Sequence, residues 1–413
     1  MSADVSALAR PAHRDPNVVR WLTAYTASVT GDVVYFLALS WTAARVAGPS
    51  QVGLVVAAGA LPRAVLMLSG GVVADRFGPH RIAVASDTTR CLVIGAVAAA
   101  FALASPGIGL LIGLAVIFGV VDALFMPAVG ALPPRITTSG QLARVQGMRG
   151  LSIRLSNAVG PLLAGVVLAA GGSGGAFTTA SALFALSLLL LMTVRTTTTR
   201  PAGRWAAWRG LGEGLRYLRH HGVLAPLVAV IGLSEMCFSG PVALGLVLLA
   251  HERGWGAAGM GWIASAFSIG GGLAALLIAV RPHLRRAGLI MSGWLLAAAA
   301  GATGIGYAPN LPAATALGAL VGLASGITTT LTSSLVQTTA DPAYLGRVTS
   351  VTTLCTLGLA PILFPAVSAT VAAWGAAAFF TGCAGICLVA ATLGAIVPAL
   401  RNAELRSATT THR

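Results

Sequence analysis

The sequence is poor in charge. Charged residues fill 9% of its 413 positions, against about 25% in a typical soluble domain. That is too few to cover a water-facing surface. The 56% hydrophobic content is equally incompatible with a disordered chain. Lysine is absent, so all 26 basic residues are arginine, as in a GC-rich bacterial coding sequence. A net charge of +15 on a soluble protein would suggest nucleic acid. Here the arginines follow topology, and no nucleic-acid partner is expected. Cysteine is also scarce: Cys91, Cys237, Cys355, Cys383 and Cys387 all lie in apolar runs, where thiols pack as small hydrophobes. Cys383 and Cys387 share a helix face, but no His, Asp or Glu stands near them in sequence to complete a metal site. No metal or cofactor is expected. The first 20 residues are polar and carry Arg10, Arg14 and Arg20, unlike a cleavable signal.

What is abundant is apolar sequence in membrane-sized runs. A spanning helix needs roughly 20 apolar residues. Breaks at Gly/Pro and Arg clusters predict twelve spans, at 18–43, 51–73, 82–104, 108–131, 145–170, 176–195, 223–249, 257–280, 288–307, 311–336, 345–372 and 376–400. Connections after even-numbered spans hold Arg76, Arg81, Arg135, Arg144, Arg195, Arg200, Arg281, Arg285, Arg286 and Arg347, whereas those after odd-numbered spans hold only Arg45 and Arg253. The positive-inside rule then places both termini in the cytoplasm. An even number of spans requires the same arrangement.

The chain repeats itself at an offset of 203 residues. Asp32 maps to Glu235, His80 to His283, Pro106 to Pro309, Leu142 to Leu345 and Arg144 to Arg347. The expected organisation is a tail (1–17), a six-helix lobe (18–195), a linker (196–222), a second six-helix lobe (223–400) and a tail (401–413). In the linker, Trp205, Trp208, Leu211, Leu215 and Leu218 recur at spacings of three and four, the pattern of an amphipathic helix on a membrane surface.

Six ionisable residues stand out within the spans: Asp32, Arg63, Asp87, Arg90, Asp122 and Glu235. Each costs several kcal/mol in the bilayer core unless paired or hydrated. Four acids against two bases leave two acids in surplus, which makes them candidates for carrying protons. Asp32 lies 12 residues beyond Arg20, roughly 18 Å along a helix and so near the midplane. Glu235 is its repeat mate. These two are the proton-coupling candidates, and either could instead attract a cationic substrate. Asp87 and Arg90 are spaced to pair on one helix face as a structural ion pair. Arg63 either neutralises an acid or meets an anionic substrate, and the role of Asp122 stays open. Tyr25, Tyr35, Phe36, Trp41, Phe238, Trp262 and Phe267 are candidate aromatics in spans 1, 7 and 8.

Two further segments carry recognisable patterns. Between spans 2 and 3 runs Gly70-Gly71-Val72-Val73-Ala74-Asp75-Arg76-Phe77-Gly78-Pro79-His80-Arg81. In span 5, Gly147, Ser156, Gly160, Pro161, Ala164 and Gly165 form a small-residue face with a helix-bending proline. The first resembles the signature loop of the major facilitator superfamily, with the usual basic pair reduced to His80 and Arg81. The second resembles the motif of that superfamily's antiporter branch. Gly31-Asp32 and Glu213-Gly214-Leu215-Arg216-Tyr217-Leu218 are similar to the group of enterobactin and macrolide exporters. No Arg lies between Ile108 and Pro134, a departure from the drug-antiporter pattern.

The resemblance implies an all-α membrane protein of twelve transmembrane helices in two pseudo-repeat lobes, moving a small molecule with protons by alternating access. It also implies that Gly71, Asp75, Arg76, Gly78 and Arg81 gate the inner face. The expected activity is efflux of a lipophilic or natural-product-like compound by a monomer in a bacterial plasma membrane. A nutrient importer or a non-transporting sensor are the alternatives. Gly171-Gly172-Ser173-Gly174-Gly175 and Gly254-Trp255-Gly256-Ala257-Ala258-Gly259 match hydrolase and dinucleotide patterns by letter. Neither has the strand that such sites require, and no enzyme is expected.

Overall fold

The fold was analysed in a computed structural model, which describes residues 11–103, 107–196, 216–238, 240–280, 286–341, 344, 348, 351–352 and 358–401. The linker positions Trp205 to Leu215, the repeat mates Pro106, His283, Leu345 and Arg347, and Cys355 lie outside these residues. So does the side chain of Asp75.

Described helices are α1 (Pro16–Ala47), α2 (Pro49–Phe77), α3 (Pro79–Leu103), α4 (Ile108–Gly130), α5 (Leu142–Met192), α6 (Leu224–Phe238), α7 (Gly240–Glu252), α8 (Gly256–Val280), α9 (Ala287–Gly306), α10 (Leu311–Thr339) and α11 (Ala360–Ile396). Their starts are written locally. Asp15 accepts a hydrogen bond from the Asn17 amide at 2.8 Å, and Pro16 follows at the first helical position, where its missing N–H costs nothing. Asn310 caps α10 in the same way through the Ala313 amide at 2.9 Å.

Ten helical stretches among the described residues are long and apolar enough to cross a bilayer, with α6 and α7 together forming one of them. Two of the ten cross twice. A straight α5 of 51 residues would run about 75 Å, far beyond the roughly 30 Å hydrocarbon core. It is broken at Gly172, whose φ of 59° is open to glycine. Gly375 breaks α11 with φ 81°, and Glu252 caps the new helix start by accepting from the Ala376 amide at 2.7 Å. The described residues therefore form an all-α bundle of twelve crossings. The glycine loop expected at 171–175 is a sharp bend in continuous helix, because one residue absorbs the reversal.

The pseudo-repeat appears in the packing. In the first half α2 lies against α4, and in the second α8 lies against α10. At the two seams stand Gly119 and Gly322, which are 203 residues apart. A methyl group at Gly119 would overlap the Gly59 carbonyl, and one at Gly322 would overlap the Phe267 carbonyl. Small residues at matching positions let the helix backbones touch.

Both halves meet near the bundle end opposite the chain termini. There α5 packs on α8 and α2 on α11. Gly165 approaches Ala257 and Gly261, Gly53 approaches Ser368, and the Trp41 ring meets the His251 ring edge-on at 5.8 Å.

Candidate functional site

Five of the six intramembrane charges converge in the first lobe. Arg90, on α3, is buried and acts as the hub. Its Nη2 lies 2.5 Å from Asp122 Oδ1 on α4. Its Nη1 lies 3.4 Å from Asp32 Oδ1 on α1 and 3.6 Å from Asp87 Oδ1 one helical turn away. The guanidinium also sits 4.0 Å above the Phe125 ring, with Phe184 at 5.4 Å and Phe118 at 5.1 Å. From α2, Arg63 Nε reaches Asp122 Oδ2 at 2.8 Å. Asp122 is thus held by two arginines.

The three acids differ in how well they are satisfied. Asp87 is fully buried and accepts from Ser187 at 2.5 Å and Ser28 at 3.3 Å. Asp122 is 4% exposed. Asp32 is 24% exposed, and its Oδ1 is buried without a hydrogen-bond partner among the described residues. It is the loosely held member. The pair expected between Asp87 and Arg90 therefore exists, but as the longest contact of a larger network.

A cavity of about 580 Å³ lies beside this cluster, between the lobes. Asp32, Arg63, Asp122, Asn157, Tyr25 and Tyr35 line it from the first lobe. Phe238, Val242, Leu246, Phe267 and Phe364 face them from the second, with Ser268 among the few polar groups there. Charge is confined to one wall. The sequence explains this asymmetry: at the 203-residue offset, Arg63, Asp87, Arg90 and Asp122 become Ala266, Ile290, Gly293 and Ser325. Only Asp32 keeps an acidic mate, Glu235, on α6, which is not among the residues lining the cavity. The cluster itself has one acid in surplus, where the sequence count suggested two. Of the seven candidate aromatics, Tyr25, Tyr35, Phe36, Phe238 and Phe267 line the cavity. Trp41 sits in the far-end seam, and Trp262 is 56% exposed on the outer surface of the bundle.

The Major Facilitator Superfamily model matches residues 21–356. The chain belongs to this superfamily. Among curated proteins, it is 27% identical to the multidrug efflux pump Tap of Mycolicibacterium fortuitum, over 95% of this chain and 98% of that protein. It is 25% identical to the enterobactin exporter EntS of Escherichia coli O1:K1 / APEC, over 79% and 80% respectively. Among solved structures, a bacterial homolog of the human lysosomal transporter Spinster, inward-facing and occupied, matches with a TM-score of 0.73 at 13% identity, over 96% of this chain and 98% of that one. The nucleoside transporter NupG matches with 0.71 at 14%, over 92% and 98%. The protein is a multi-pass membrane transporter and not an enzyme.

Both superfamily-like segments have clear places in the fold. The loop turns at Gly78, which takes φ 91°. Pro79 then starts α3, and His80 Nε2 is 2.8 Å from the Leu191 carbonyl at the end of α5. Arg76 and Arg81 are exposed at the termini end. In α5, one face serves α1: Ser156 donates to the Thr26 carbonyl at 3.1 Å, accepts from Thr30 at 3.0 Å, and Gly160 abuts Val33. The next face serves the other lobe, where Pro161 and Gly165 meet Gly261. Gly147 has open space around it.

Two further arginines fall within the predicted span 5. Arg149 lies over the Tyr25 ring at 5.0 Å. Arg154 donates to the Gly271 carbonyl across the lobe interface at 3.2 Å. Their position inside 145–170 was the available signal. The structure also adds Cys237 to the Cys383 and Cys387 face, with its thiol 3.4 Å from the Cys383 carbonyl. Among the described residues no group of His, Cys, Asp or Glu is placed to hold a metal.

Proposed function

We propose that the protein is a proton-coupled exporter of a small lipophilic or natural-product-like compound, working by alternating access between lobes 18–195 and 223–400. The observation that carries this reading is Asp32: a weakly held acid, in a cluster with one surplus negative charge, facing a cavity with an apolar opposite wall. A buried surplus charge is most cheaply removed by binding a proton or a cation. Proton binding and substrate binding then compete at one place. Aromatic and aliphatic side chains on the far wall suit bulky apolar ligands. The named relatives export or pump out compounds, which supports the outward direction.

In this reading the protein acts as a monomer in a bacterial plasma membrane. Both termini are cytoplasmic by the arginine bias. The far-end seams then close the outer side, so this conformer is the inward-facing one. The Asp75 loop gates the inner side when the lobes rock over.

Inverted membrane vesicles test this directly. A pH-sensitive dye reports the gradient while lipophilic cations, macrolide-like compounds and sugars are added in turn. The expected result is collapse of the gradient by one lipophilic class. The collapse disappears in Asp32→Asn and persists in Glu235→Gln. Uptake coupled in the opposite direction would instead make the protein an importer. Absence of any proton movement with every class would count against proton coupling.

A further inference from the structure

The transport reading counts the charge of Arg63 but gives the side chain no role of its own. It is 40% exposed, whereas Arg90 is fully buried. It binds the second oxygen of a carboxylate that Arg90 already holds at 2.5 Å. A second arginine on Asp122 adds little to orientation but changes the count of charges. With it, the cluster has three acids and two bases. Without it, two acids are in surplus.

We infer that Arg63 sets the number of protons the cluster carries, by keeping Asp122 out of the proton-binding role. The inference rests on the proton-coupled reading of this same site. Closely spaced carboxylates share protons as a unit, so the proton belongs to the cluster and not to one side chain. The groups that face Asp32 support this count. Its own helix supplies Ser28 and Tyr35, and α2 supplies Arg63. From α3 come Asp87 and Arg90, and from α4 Asp122. The α5 groups nearby are Ser156, Asn157 and Ser187. On the opposite lobe's cavity wall, Ser268 is polar and no charged residue is found among the described residues. With those neighbours neutral, the five cluster charges decide the proton number.

The charge count makes a prediction that a packing role does not. Wild type holds one proton. Arg63→Gln leaves three acids with one base and should hold two. Asp122→Asn leaves two acids with two bases and should hold none, although Asp32 is untouched. The double variant Arg63→Gln/Asp122→Asn returns to one. Infrared difference spectroscopy of the purified full-length protein at neutral pH counts protonated carboxyl groups by their C=O stretch. Glu235 lies outside the cluster and cancels in the differences. Relative to wild type, the expected pattern is a gain of one band, a loss of one band and no change. An unchanged spectrum for Arg63→Gln, or retention of the wild-type cluster band in Asp122→Asn, overturns the inference. The neutral double variant keeps the wild-type charge surplus and provides a reading if Arg63→Gln alone fails to fold. No substrate is needed, so this result stands apart from the vesicle assay. A protein without proton-driven flux can still show the pattern, and one with flux can lack it.

Discussion

Arg90→Met is expected to leave little folded protein. Methionine replaces the aliphatic stem of arginine, so packing around that stem is largely conserved. What it removes is the fully buried hub of three carboxylates. Removing one partner of a buried ion pair costs about 3–5 kcal/mol. Contacts over Phe118, Phe125 and Phe184 add about 0.5–2 kcal/mol. Against a net stability of about 5–15 kcal/mol for a folded domain, that is about half of the margin. The check is the monodisperse fraction and thermal unfolding of detergent-purified protein. Arg90→Lys restores charge without the planar fork, and should fall between the two. Asp87→Asn should be mild by comparison, because one of Ser28 and Ser187 can still donate to the amide oxygen while the other hydroxyl turns to accept from the amide NH2.

Gly261→Leu is expected to abolish transport while sparing the fold. A Cβ at this position would lie 2.6 Å from the Pro161 carbonyl and 3.2 Å from Gly165 Cα. Both belong to the opposite lobe. Neither lobe's own packing is disturbed, but the far-end seam cannot close. Without closure there is no alternation, only one accessible state. Gradient-driven flux should drop to background, with the melting temperature within a few degrees of wild type. A cysteine placed at Ala257 on the same seam should become readily labelled by a membrane-impermeant maleimide. Normal flux in this variant would mean that the α5–α8 contact is not a gate.

Much of the fold was legible because membrane helices announce themselves by length and apolarity, and arginine by its side. Spans 1 to 4 lie close to α1 to α4. The bends at Gly172 and Gly375 were not foreseen as bends, because a run of small residues is equally compatible with a loop. The site was only partly legible. Sequence spacing paired Asp87 with Arg90, since those lie on one helix. It could not show that α1, α2, α3 and α4 bring Asp32, Arg63 and Asp122 to the same guanidinium, because that depends on helix order and rotation. Glu235 looked equivalent to Asp32 by repeat position. At the offset positions the second lobe carries Ala266, Ile290, Gly293 and Ser325, so the Asp32 cluster is not repeated there. Arg149 and Arg154 lie within the predicted span 145–170, but only helix rotation shows that they meet Tyr25 and the Gly271 carbonyl.

Reconstituted proteoliposomes offer the most direct test, using a compound class that passes the vesicle assay and comparing wild type with Asp32→Asn. Two modes are measured in the same preparation: accumulation driven by a pH gradient, and exchange of labelled for unlabelled compound with no gradient. Asp32→Asn should lose accumulation and keep exchange, because alternation remains while the proton site is gone. Accumulation at the wild-type level in Asp32→Asn would contradict a proton site at the charged cluster.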